Sequence, residues 1–306
     1  YVPPYPGRST ETAVFGFHAL ADGACAQHAD PPEARLEKGP AYDDARIPEN
    51  APDAVAEWPM YRHDIQRSGA TTSTIPGYVE LYWVAELDGR ITAPVVAGGR
   101  VYVGLCDQYG IACLDAETGN EIWTASCGGR VDSPPTVHGG RIIFGSADGW
   151  VYCLRARDGA LIWRFQAAPC ERLIGGNDRL ESAWPVHGSV LVLNNCVYAL
   201  AGRAAGLDGG LELYALDAAT GLPRHHAAIH TAPSRRSDLA DAEAAGLHLD
   251  AALSDLLVSD GTSIWVRQLR FNTALVRQAP NDKTAMGDMM VGQHVMATSE
   301  LLDGEG

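Results

Sequence analysis

The chain has 306 residues, 46% of them hydrophobic and 20% charged, enough to bury a substantial core as one large domain or two smaller ones. Thirty-eight acidic residues against 23 basic ones give a net charge of −15, which disfavours nucleic acid and anionic lipid as partners. No run approaches the ~18 consecutive apolar residues of a membrane-spanning helix, and 33 glycines with 18 prolines point to many tight turns.

Tyr1 opens the chain with no Met, basic stretch or apolar leader, which reads as a processed or truncated start. Residues 1–57 read as an irregular segment or partial repeat unit. Within them FGFHAL (15–20) is a candidate strand, and residues 31–56, rich in Pro, Asp and Glu, are a candidate loop or linker. WPMYRHDIQRSG (58–69) follows, dense in Arg62, His63, Asp64 and Arg67. It reads either as a buried ion-pair clasp onto the rest of the chain or as a ligand site.

Self-similarity then fixes the architecture. Trp83, Trp123 and Trp163 recur forty residues apart. GRITAP (89–94) returns as GRVDSP (129–134), VAGGRVYVG (96–104) as VHGGRIIFG (137–145), and CLDAETGNEIW (113–123) as CLRARDGALIW (153–163). Each copy reads as four short strands rich in β-branched and aromatic residues, separated by glycine turns, and four strands per forty residues make a propeller blade. A third copy, with SAWPVHGSVLVLNNCVYALAG (182–202) and LYALDAATG (213–221), is stretched by about twenty-two residues. The insertions are placed near 169–181 and 203–210, and the outer tryptophan position falls at His225. LLVSDGTSIWVRQL (256–269) is a weaker fourth copy, preceded by a helical or irregular excursion at 233–252. The fold class is therefore all-β: a β-propeller of four-stranded blades over residues 58–306, incomplete or part of a longer chain.

The repeat Asp115-Ala116-Glu117-Thr118-Gly119 followed by Trp123 resembles the pyrroloquinoline-quinone-like (PQQ-like) β-propeller repeat of the quinoprotein alcohol dehydrogenase-like superfamily. The lead-in at 58–69 resembles the segment that precedes the blades in bacterial members, and the resemblance spans roughly Trp58 to Leu269. It implies that Trp83, Trp123 and Trp163 dock between blades, a role that burial of large aromatics in a radial array also supports. Relatives include quinoprotein dehydrogenases, which use the quinone, and a propeller lipoprotein of outer-membrane β-barrel assembly, which does not. Membership implies an exported, periplasm-type location.

A quinoprotein dehydrogenase needs Ca²⁺ held by oxygen ligands, a carboxylate base and, commonly, two adjacent cysteines. No Cys-Cys pair is present, and no motif singles out a carboxylate. The sequence reading is a non-catalytic scaffold that presents loops to a protein or carbohydrate partner, with no cofactor and no metal site. The alternative is an alcohol or sugar dehydrogenase, or a fragment of one, using PQQ with Ca²⁺. Glu181, Trp184, Arg203 and Asp208 flank the long loops of the third copy and form the candidate partner surface, since function concentrates on loops carried by a rigid scaffold. Trp150 and Trp184 lie outside the docking register and are candidates for the channel or the core. His225, His226 and His230 are either loop histidines or a zinc pair. Cys106 and Cys113 are near enough for a cross-strand bridge if both point to one face, while Cys113, Cys153 and Cys196 read equally as small buried hydrophobes.

Overall fold

A computed structural model describes residues 32–43, 58–74, 77–176, 179–205, 207–230, 256–267 and 269–278. The candidate strand at 15–20 and the excursion at 233–252 lie outside them.

A short 3₁₀ turn (Pro32–Arg35) leads into β1 (Leu36–Lys38). The first blade is β2 (Val95–Ala97), β3 (Arg100–Leu105), β4 (Gly110–Asp115) and β5 (Glu121–Ser126), antiparallel and in chain order. The second is β6 (Thr136–His138), β7 (Arg141–Gly145), β8 (Trp150–Arg155) and β9 (Leu161–Gln166). A separate hairpin, β10 (Leu173–Gly176) and β11 (Arg179–Ser182), precedes the third blade. That blade is β12 (Leu191–Leu193), β13 (Cys196–Ala201), β14 (Leu211–Asp217) and β15 (Pro223–Ile229). A fourth sheet holds β16 (Leu257–Ser259), β17 (Ser263–Val266) and β18 (Leu269–Asn272). These are β-propeller blades.

Blades stack face to face, so the middle strands bury both faces and read as continuous apolar runs rather than alternating ones. Strands β7 and β13 are buried at every position. Tyr102, Ile111 and Cys113 meet Ile142, Phe144 and Tyr152 between the first two blades. Trp163 and Phe165 meet Val197, Tyr214 and Leu216 between the second and third. Leu200, Leu211 and Leu213 meet Ile264, Val266 and Phe271 beyond that.

The turn after each third strand explains the repeat motif. Asp115 Oδ1 accepts from Thr118 N at 2.8 Å and Thr118 Oγ1 at 2.9 Å, and Asp217 does the same for Thr220. The turn closes on a glycine with φ of +70° to +74° in all three blades: Gly119, Gly159 and Gly221. Over each glycine lies an indole, from β5 and β9 for the second and third blades and from the chain before β2 for the first. Trp83 Nε1 donates to Ala116 O at 3.0 Å, Trp123 Nε1 to Ala156 O at 3.0 Å and Trp163 Nε1 to Ala218 O at 3.3 Å. A Cβ on any of the three glycines would lie 2.5–2.6 Å from the indole ring. The turn therefore supplies both the acceptor and the bare surface that the ring covers. In the third blade His225 stands opposite Ala215, in the register that pairs Trp123 with Cys113 and Trp163 with Cys153.

The lead-in segment bonds to the inner strands β2, β6 and β16 and to the approach to β12. Trp58 pairs with Val96, Val137 N donates to Pro59 O at 2.7 Å, and Ser259 N donates to Ile65 O at 2.8 Å. Arg67 is 2% exposed. Its guanidinium donates to carbonyls of Leu257 (3.2 Å), Tyr61 (3.0 Å), Ser189 (3.4 Å) and Val190 (3.2 Å). The clasp is thus a carbonyl cage rather than an ion pair, and burial pushes the Arg67 guanidinium down to about 10.

Several expectations are corrected. Residues 31–56 are not wholly a linker: β1 pairs antiparallel with β9 as a fifth strand of the second blade, and Ala41 and Tyr42 are buried behind it. His225 and His226 lie on β15, not in a loop, and His226 Nε2 meets Glu212 Oε2 at 2.5 Å while stacking on Tyr214. Cys106 and Cys113 are both free, because Tyr102 stands opposite Cys113 while Cys106 lies beyond the end of β3. Cys113, Cys153 and Cys196 are buried free thiols, and Cys170 is disulfide-bonded.

Candidate functional site

The segments that enter β2, β6, β12 and β16 come together to line a cavity of about 370 Å³. Thr92 and Ala93 come from the first blade, Asp132, Ser133 and Pro134 from the second, His187 and Gly188 from the third and Leu256 from the fourth, with Tyr61 of the lead-in. The repeat delivers them together, because each occupies the approach to an equivalent strand.

Asp132 organises this cavity. Its Oδ1 accepts from Arg130 Nε at 2.7 Å, and its Oδ2 accepts from Arg130 Nη2 at 3.1 Å and lies 2.6 Å from His187 Nδ1. An ionised carboxylate only accepts, so Nδ1 carries the proton of this hydrogen bond. Burial alone would raise the Asp132 carboxyl, but the hydrogen bonds from His187 and Arg130 hold it well below the usual carboxylate range. Beside it the Ser133 hydroxyl is buried with no hydrogen-bond partner.

The β10–β11 hairpin extends this network outward. Glu181, 9% exposed, bridges Arg130 at 3.2 Å and Arg203 at 2.5 Å. Arg179 reaches Asp107 of the first blade at 2.8 Å and lies over the Tyr109 ring, while Arg172 holds Asp208 at 3.0 Å. One insertion therefore ties three blades through paired charges.

The sequence-derived partner surface is distributed across this network. Glu181 sits on a strand and is buried, and Trp184 is 5% exposed within the core between the second and third blades, its indole N–H without a hydrogen-bond partner. Arg203 and Asp208 remain part-exposed at the rim. Trp150 lies under the Arg164 guanidinium, 4.5 Å from ring centroid to Cζ. Sequence reasoning missed Arg130, Asp132 and His187. A signal was there: GRVDSP carries an acid where GRITAP has Thr92, a departure inside an otherwise repeated motif.

Calcium with a quinone does not fit this donor set. Asp132 is the one carboxylate among the described residues that line the cavity, and both its oxygens are taken by Arg130 and His187. Among the described residues no group of three or more His, Cys, Asp or Glu side chains could hold a metal ion. No helix among them is long and apolar enough to cross a membrane.

Stacked four-stranded blades, docked by a tryptophan over the next blade's Asp/Thr/Gly turn, define a β-propeller of PQQ-like repeats. The quinohemoprotein alcohol dehydrogenase of Comamonas testosteroni shares this fold with a TM-score of 0.55 at 17% identity, over 78% of this chain and 42% of that one. The sequence model of the family described as outer membrane protein assembly factor BamB matches residues 63–249, and the chain belongs to that family. BamB of Nitrosomonas eutropha is 31% identical over 85 residues, 28% of this chain and 20% of that protein. BamB of Moranella endobia is 33% identical over 79 residues, 26% and 19%. The chain thus spans about a fifth of the length of the curated relatives it matches.

Proposed function

We propose that this chain is a non-catalytic propeller scaffold that holds a protein partner during the assembly of outer-membrane proteins, in an exported location. Membership of the BamB family across residues 63–249 carries the reading. The chemistry of the face around the cavity supports it. Its arginines and carboxylates are spent on one another, Arg130 with Asp132 and Glu181 and Arg203 with Glu181, which rigidifies a surface rather than leaving a free base or ligand set. The disulfide at Cys170 suits an oxidising compartment. Arg203 and Asp208 at the rim are the residues a partner meets, with Glu181 positioning Arg203 from beneath and Trp184 filling the core below.

The test is complementation. The chain, exported in a bacterium lacking its own BamB, restores the level of outer-membrane β-barrel proteins, and R203Q/D208N, whose amides still hydrogen-bond Glu181 and Arg172, lowers that rescue while circular dichroism shows the sheet content retained. Saturable binding of PQQ with Ca²⁺, accompanied by dye-linked alcohol oxidation, overturns the reading.

A further inference from the structure

The cavity at Asp132 and His187 keeps hydrogen-bonding groups in reserve. The Ser133 hydroxyl is buried, on a residue 6% exposed, and has no partner. Two further lining side chains carry an unspent polar atom among the described residues. No hydrogen bond reaches the Tyr61 hydroxyl, and His187 spends Nδ1 on Asp132 while Nε2 bonds to nothing. Thr92 contrasts with them, since its hydroxyl accepts from Gly104 N at 2.8 Å and donates to Ala93 O at 3.1 Å. Folded proteins satisfy nearly all their buried polar groups, so unspent ones gathered at a cavity point to a ligand.

Charge narrows the class of that ligand. Among the described residues the lining holds no arginine or lysine, and its carboxylate, Asp132, is already paired with Arg130. An anion finds no free cation there and a cation finds no free anion, so the fitting ligand carries no net charge. Two of the three unspent groups are hydroxyls, which donate and accept alike. They match a neutral molecule with several hydroxyls of its own, whereas an amide offers a fixed donor and a fixed acceptor. Ala93, Pro134 and Leu256 form an apolar part of the wall, which suits the C–H face of a sugar ring. A volume of about 370 Å³ falls at the lower end of small-molecule cavities.

We propose that this cavity binds a neutral hexose, held by the Ser133 and Tyr61 hydroxyls and by His187 Nε2. Asp132 acts through the ring rather than on the sugar: its 2.6 Å bond to Nδ1 fixes the imidazole between the second and third blades. The site is one of binding only, and it stands whether or not the chain holds a protein partner.

Calorimetric titration of the full chain tests it, with glucose, galactose and mannose as the probes. At least one of them binds saturably with a dissociation constant of about 1 mM. The amino-sugar and uronic-acid counterparts of that hexose bind about tenfold more weakly. S133A and Y61F each weaken hexose binding by about fivefold to tenfold. S133A removes an orphaned hydroxyl, so it leaves the melting temperature unchanged or raises it, which separates a lost ligand contact from a lost fold. H187N keeps an N–H for Asp132 where Nδ1 stood and removes Nε2, and affinity falls likewise. A methyl glycoside that binds as well as the free hexose assigns the site to the end of a glycan, and one that fails to bind assigns it to the free sugar. R203Q/D208N retains hexose binding, so failure of the partner reading is distinguishable from failure of this one. The proposal is overturned if none of the three hexoses binds at up to about 50 mM, if the charged counterparts bind as tightly, or if S133A and Y61F leave affinity unchanged. Tighter binding of N-acetylglycine methylamide, which offers only a peptide's main-chain groups, overturns it as well.

Discussion

Replacing Gly159 by alanine isolates the inter-blade dock. Two penalties arise there. The residue sits at φ +72°, where a Cβ costs about 1 kcal/mol. The new methyl also lands 2.6 Å from Trp123 Cε3, so the indole must shift in a packed interface, at about 1–3 kcal/mol. The sum is about 2–4 kcal/mol. In a W123L background the indole edge is gone and only the backbone penalty remains, so the same Gly159→Ala change costs about 1 kcal/mol. W123L itself is strongly destabilising, since Trp123 is 9% exposed and bonds Ala156. Urea unfolding of the four proteins, with free energies from linear extrapolation, yields a coupling of about 1–3 kcal/mol between the two sites. Equal penalties in the two backgrounds would refute the argument that the glycine is needed for the ring rather than for the turn.

R67K leaves carbonyls of the cage unpaired, because an ammonium cannot reach four acceptors spread over the lead-in, the approach to β12 and β16. It lowers stability by about 2–4 kcal/mol in thermal or urea unfolding. Acid sensitivity follows from two carboxylates. Arg90 and Arg179 hold Asp107 down to about 2, and His187 with Arg130 outweigh burial to hold Asp132 low. Folded values below the unfolded ones mean a contribution that is complete above about pH 4 and is lost as pH falls toward 2. The melting temperature drops over that window, and D132N flattens the drop. Burial pushes the Cys113 thiol up to about 11 and leaves it 0% exposed, so iodoacetamide at pH 7.5 labels it only as fast as the native chain opens, and labelling at the denatured rate would contradict the packing.

The blades were legible because each strand and turn is specified locally. Glycine at the turn, aspartate bonding three residues onward in the first and third blades, and tryptophan at a fixed offset recur in the text before they recur in space. The position of His225 in the third blade followed from the same register. What the sequence concealed depends on meeting at a distance. Asp132 and His187 come within 2.6 Å from different blades, and Glu181 finds Arg130 fifty-one residues away. Strand β1 was concealed for another reason. Leu36-Glu37-Lys38 has no alternating pattern of its own, and it becomes a strand because the outer edge of β9 offers a ladder, with Arg164 meeting Glu37 at 2.6 Å. The 169–181 insertion was read as loop because its two strands, four residues each, lie among glycines and charges.

The lead-in segment changes the kind of cooperativity this repeat protein has. An array whose units touch only their neighbours melts piecewise, each repeat contributing its own term. Residues 58–67 bond to all four blades, so blades far apart in sequence share one keystone that can seat only after all four have formed. Those residues precede the first blade in the chain and are the last to find their bonds. Such a keystone makes long-range closure the expected slow step of folding, and a single unfolding transition, rather than blade-by-blade melting, is the outcome that checks it.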